Sequence, residues 1–154
     1  MTHKIRKATI SDHEIILNIA KSLPEWFDEH AQNFEIPEDL INYQSLVYED
    51  NGQILGFVNF AQENAPEIKW IGVVKNARRQ GIGTKLVKDV EEILLHFGFK
   101  ELRVKTLSEN EDYEPYQSTR SFYHKLGFQE IGTEYITSFD GEKLPMSVLK
   151  KDLS

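Results

Sequence analysis

The stretch Arg78-Arg79-Gln80-Gly81-Ile82-Gly83-Thr84 constrains this chain more than any other. An apolar, strand-like run at 71–74 feeds into it. Apolar residues at helical spacing lead out of it: Ile82, Leu86, Val90, Ile93, Leu94 and Phe97. A loop with two close glycines at a helix start exposes backbone N–H groups that no side chain crowds, and the helix dipole adds positive potential there. Such a place holds a phosphate or pyrophosphate. The pattern is not the dinucleotide fingerprint, which wants a third glycine where Leu86 stands. Nor is it a P-loop, which needs Gly-Lys-Ser/Thr. Taken by itself, a tight turn needing glycine conformations accounts for it equally well.

Around this loop the pattern alternates between strands and helices. Residues 4–8 read as a first strand. Ser11 or Asp12 can cap a helix carrying Ile15, Ile16, Ile19 and Leu23, which Pro24 interrupts. Residues 25–28 are a loop or the start of a second helix, and 37–43 fit a short helix. Residues 45–49 and 53–60 are two strands joined by Asp50-Asn51-Gly52, a strong hairpin turn. The strand at 67–74 precedes the glycine loop. Gly98 ends the long helix as a left-handed cap, with Phe99 after it. Leu102, Val104 and Thr106 mark a strand, and 108–115 is polar. Thr119, Phe122, Tyr123 and Leu126 share a helix face capped by Gly127. Residues 130–137 and 146–149 form an end hairpin around Asp140-Gly141. The order β-α-α-β-β-β-α-β-α-β-β predicts one α/β domain over 1–154, a mixed sheet with helices on its faces.

The remaining features narrow the function. A formal charge of -7 disfavours nucleic acid as a partner. It either draws in cationic small molecules or serves only solubility. No run of about 18 apolar residues predicts a membrane span. The first six residues lack the apolar core of a secretory signal, so a cytoplasmic location is expected. No cysteine is present, which excludes disulfides and thiolate nucleophiles. The five histidines are scattered singly, so no metal site is expected. The end hairpin offers a strand edge through which a homodimer can form.

Two motifs then converge on one family. Arg78-x-x-Gly81-x-Gly83, after an apolar strand and before a helix, resembles the acetyl-CoA-binding motif of the GCN5-related N-acetyltransferases (GNAT). The downstream run Ser121-Phe122-Tyr123-His124-Lys125-Leu126-Gly127-Phe128 resembles that family's second hallmark, and the element order is similar across nearly the whole chain.

The resemblance implies a GNAT-type acyl-CoA N-acyltransferase fold and acetyl transfer from acetyl-CoA, as cosubstrate, to a primary amine of a small molecule by direct attack. A protein N-terminus or lysine as acceptor, or a non-catalytic acyl-CoA-binding module, stays open. The pyrophosphate is expected on backbone N–H groups from Arg79, Gln80, Gly81, Ile82, Gly83 and Thr84, with Arg78 and Arg79 adding charge. The pantetheine arm is expected along the backbone of Ile71, Val73 and Val74, where an N–H near Val73 polarises the thioester carbonyl. Tyr123 matches the family tyrosine that protonates the departing thiolate, although periodicity by itself reads it as a buried helix-face aromatic. Glu67 matches the spacing of the base in the histone-acetylating branch, and a strand-end surface charge fits it equally well. Glu63 and Glu25 are less well placed alternatives. Tyr116 stands where many members carry an asparagine that holds the pantetheine. Its hydroxyl either replaces that contact or closes over the acceptor site. The acceptor side is implied to comprise Glu25, Trp26, Phe27 and Asp28 with Tyr135, Phe139 and Asp140, or these residues only pack a hinge.

Overall fold

The computed structural model describes residues 3–107, 114–138 and 140–153. Phe139 and the acidic stretch 109–113 therefore lie outside the described residues. Seven strands form one mixed sheet: β1 (His3–Lys7), β2 (Gln44–Asp50), β3 (Gln53–Ala61), β4 (Glu67–Val73), β5 (Glu101–Leu107), β6 (Gln129–Thr137) and β7 (Lys143–Asp152). The helices are α1 (His13–Lys21), α2 (Ile36–Asn42), α3 (Ile82–His96) and α4 (Glu114–Lys125). The spatial order is β1-β2-β3-β4-β5-β7-β6. All neighbouring strands are antiparallel except β4 and β5.

Two apolar layers sandwich the sheet. One gathers Val58, Phe60, Ile68, Leu102 and Val104 with Leu86, Val90 and Leu94 of α3 and Tyr123 of α4. The other sets Val47 and Phe57 against Ile16, Ile19 and Ala20 of α1 and Ile36 and Leu40 of α2. Alternate strand residues thus enter opposite layers. In α3 the sealed residues Leu86, Val90 and Leu94 recur at four-residue spacing, each such burial stabilising by about 2 kcal/mol.

The turns follow from local chemistry. Asn51 and Gly52 both have positive φ, 51° and 82°, which suits the right-handed twist of a two-residue hairpin. Gly98 and Gly127 close α3 and α4 in the left-handed region. Phe99 N–H donates to Leu94 O at 2.9 Å, and Phe128 N–H to Tyr123 O at 3.0 Å.

The first helix departs from the expected one. A 3₁₀ turn over Ile10–Asp12 precedes it, and it ends at Lys21, before Pro24. Ser22 ends it by bonding Ile19 O through its hydroxyl at 2.6 Å. Leu23 is buried but lies past the helix, and Ile15 faces solvent. A π-helical turn, Ala31–Glu35, leads into α2. Likewise Leu126 lies past α4 rather than on it. Strand β6 is exposed along its full length and pairs only with β7. Among the described residues no helix is long and apolar enough to cross a membrane, and no group of three His, Asp or Glu side chains could hold a metal ion.

Candidate active site

The site begins as an irregularity in β4. Asn59 pairs with Trp70 and Phe60 with Ile68, so Lys69 is one residue too many and bulges. Around it, Asn59 Nδ2 donates to Asp39 O and Gln44 O, each at 3.2 Å, and Trp70 Nε1 donates to Asp39 Oδ2 at 2.7 Å. At this bulge β4 leaves β5. Their parallel pairing covers only Glu67 with Arg103 and Ile68 with Val104. Beyond it β4 stays on β3 and β5 stays on β7, so the two strands splay.

The splay exposes backbone. Val74 N–H donates to Leu55 O at 2.9 Å, and Gly56 stands opposite Val73. In that antiparallel register Gly72 turns its peptide groups to β3, while those of Ile71 and Val73 point to the open side. Val74, by contrast, has its N–H committed to β3.

At the end of the splay stands the start of α3. Gly81 is its N-cap at φ 76°, with no side-chain cap, and the first intrahelical bond is Lys85 N–H to Gly81 O at 3.0 Å. The N–H groups of Ile82, Gly83 and Thr84 therefore have no acceptor within the helix. Arg79 is also left-handed, at φ 66°, a cost of about 1 kcal/mol for a residue with a Cβ. The two glycines serve different ends. A Cβ on Gly81 would meet nothing within 4 Å, so its need is conformational. One on Gly83 would stand 3.3 Å from the Phe122 ring, so its absence lets α4 approach α3.

A cleft of about 900 Å³ runs along these parts. Of the expected residues it takes in Trp26, Phe27, Asp28, Glu67, Ile71, Val73, Arg78, Arg79, Gly81, Ile82, Gly83, Thr84, Tyr116 and Tyr123. Glu25, Val74, Gln80 and Tyr135 are not in its wall. Glu25 instead pairs with Lys75 at 3.2 Å. Tyr135 points to solvent from β6, and its neighbour Ile136 lines the cleft. The wall also holds Glu35, Lys69, Trp70 and Lys105, which the sequence did not mark. Lys69 and Trp70 are set by the bulge in β4, which has no signature in residue type, while Glu35 and Lys105 come from the π-helical turn and β5.

Tyr123 is 1% exposed, edge-on to Phe122 and Phe128 at 5.0 and 5.3 Å. Burial pushes its phenol above the usual value, so it is a protonated donor at neutral pH. Glu67 Oε1 lies 3.6 Å from Lys69 Nζ and 3.9 Å from Lys105 Nζ. Lys105 pairs in turn with Glu134 at 3.0 Å. Against the cost of its burial, Glu134 and Glu67 hold Lys105 above the usual lysine value. Burial also raises the Glu35 carboxyl, with Asp28 and Asp39 adding to the rise and His30 opposing it.

The parts fit an acyl-CoA. Open N–H groups at a helix start, unobstructed space at Gly81 and a flanking guanidinium suit a pyrophosphate. An unpaired strand edge suits an amide-bearing arm. The sequence model of the acetyltransferase (GNAT) domain matches residues 42–130, more than half of the chain. No curated protein matches the sequence.

Three solved structures share the fold. A protein from Desulfovibrio desulfuricans, described as of the GNAT acetyltransferase family, superposes with TM-score 0.80 at 17% identity, over 99% of this chain and 100% of that one. The ribosomal-protein-S18-alanine N-acetyltransferase of Escherichia coli gives 0.75 at 19%, over 99% and 95%. An aminoglycoside 6'-N-acetyltransferase complexed with coenzyme A gives 0.70 at 17%, over 98% and 97%.

Proposed function

Because the chain belongs to the GNAT family of acetyltransferases, we propose that it moves an acetyl group from acetyl-CoA to a primary amine of a small molecule by direct attack. One observation carries this reading. The uncapped start of α3 and the freed edge of β4 lie in the same cleft as a buried, protonated tyrosine.

In this reading the N–H groups of Ile82, Gly83 and Thr84 hold the two phosphates. Arg78 and Arg79 add charge, and the backbone of Ile71 and Val73 aligns the arm. The Val73 N–H faces the thioester oxygen and favours the charge that develops there. Tyr123 donates its proton to the departing sulfur. Its raised affinity for the proton does not forbid this, because a thiolate expelled into the same dry surroundings is raised for the same reason. Glu67 takes the proton from the incoming ammonium, directly or through a water. Its Oε1 is engaged by two lysines, which leaves Oε2 for that task.

Trp26, Phe27 and Trp70 beside Asp28 and Glu35 give the acceptor wall rings and carboxylates, which suit an alkyl ammonium. That wall favours a small amine. A protein amine is the second reading, and a non-catalytic acyl-CoA module is the third. Calorimetry with acetyl-CoA and a thiol-release assay over small amines and peptides separate them. Tyr123→Phe is expected to lower kcat about 100-fold with CoA affinity unchanged. Binding without turnover on any amine would leave the module. No binding of acetyl-CoA would end the proposal.

A further inference from the structure

We propose that Trp26 is a positioning residue that couples occupancy of the phosphate loop to the geometry of the acceptor wall, an inference that rests on reading the cleft as an acyl-CoA site. Trp26 lies between α1 and the π-helical turn, yet its partners are 52, 89 and 90 positions away. The Arg78 guanidinium carbon sits 4.2 Å from its ring centroid. Its indole Nε1 donates to Pro115 O at 3.1 Å, and its carbonyl accepts from the Tyr116 hydroxyl at 3.1 Å. One residue thus spans from the head of the glycine loop to the first turn of α4.

The residues after Trp26 are anchored elsewhere. Phe27 is buried in the layer of α1 and α2 and stands edge-on to Trp70 at 5.9 Å. Asp28 Oδ1 accepts from Ala31 N–H at 2.8 Å. Both belong to the acceptor wall. Trp26 is therefore the joint where that wall meets the cofactor side.

The chemistry of Arg78 makes the joint responsive. Lying over the ring engages the guanidinium charge and leaves its N–H donors unspent. Among the described residues those donors make no hydrogen bond or ion pair, and Arg78 lines the cleft beside the open start of α3. A phosphate that takes the in-plane donors fixes the plane, and the plane fixes the ring lying against it. The same linkage makes a set Trp26 favour phosphate binding in return.

The chain has two tryptophans, so Trp70→Phe leaves Trp26 as the sole indole emitter. Coenzyme A is the probe. In that variant, titration should change Trp26 emission with a midpoint equal to the calorimetric Kd. Adding Arg78→Ala should weaken CoA about tenfold and abolish the emission change. In the unmodified protein, CoA should slow amide exchange at 25–28, a readout independent of whether the variants fold. CoA binding without an emission change and without slowed exchange overturns the coupling alone. An emission change that persists without Arg78 also overturns it. Failure of CoA to bind overturns the acyl-CoA reading and the coupling together.

Discussion

Two helix starts in this molecule are treated in opposite ways. At the turn that leads into α1, the Asp12 carboxylate reaches back to Thr9 N–H at 2.7 Å. It is clamped by Arg6 through bonds of 2.8 and 3.1 Å. Arg6 is itself braced on Glu49 of β2 at 3.1 Å. The chain itself thus takes up one amide at that end and ties the turn to the sheet. At α3 the cap is a glycine and no side chain crosses the opening amides. Folding energy is spent at the first end and withheld at the second, and the second is the one that faces the cleft. The contrast separates a helix start tied into the sheet from one left open to the cleft.

The sharpest way to break the contrast is to give α3 what the first end has. Gly81→Asp places a carboxylate in open space, at a left-handed φ that strains any residue with a Cβ and Asp less than most. Its charge beside the free amides should lower CoA affinity at least about 100-fold in calorimetry, while the left-handed strain lowers Tm by a few degrees. The reverse change, Asp12→Ala, should lower stability by about 2 kcal/mol in chemical denaturation and leave CoA affinity intact.

A smaller effect is one of pH. The Arg6 guanidinium holds the Asp12 carboxyl well below its usual value, with Thr9 adding against the cost of burial. Its stabilisation is therefore present above the unfolded value near ~3.9 and is lost as pH falls through the folded one. The Tm gap between the wild type and Asp12→Asn should shrink on going from about pH 5 to about pH 2. Smallest of all, Glu25→Gln at the solvent-facing pair with Lys75 should leave Tm unchanged within error.

Much of the frame was legible in the sequence because it rests on local rules. Asn51-Gly52 forms its hairpin, Gly98 and Gly127 cap their helices, and the order of elements is the expected one. The left-handed Gly81 and the uncapped start of α3 were legible for the same reason, since a conformation and an exposed backbone are read off neighbouring residues.

What was not legible depends on distance along the chain. The bulge at Lys69 is a register between two strands, and no side chain announces it. The lysines around Glu67 come from the bulge itself and from a strand 38 positions on. Tyr116 was expected either on the pantetheine or over the acceptor, and its hydroxyl donates to Trp26 O, a partner 90 positions away that no local pattern marks. The family resemblance implied Tyr135 on the acceptor side, yet the strand turns Ile136 to the cleft and Tyr135 outward. Gly83 was read as room for phosphate, and the room is used by Phe122.

The strand order has a consequence for synthesis. β7 bonds along one edge to β5 and along the other to β6, although both precede it in the chain. While the ribosome has delivered only the residues up to Thr137, β6 trails wet on both sides, with Ile131, Tyr135 and Ile136 bare and nothing to lie against. The glycine loop and α3 have by then been synthesised, but the far wall of the cleft waits on residues 143–152. A nascent chain stalled in that interval presents a naked ribbon to its neighbours, and the seam is sewn only when β7 emerges.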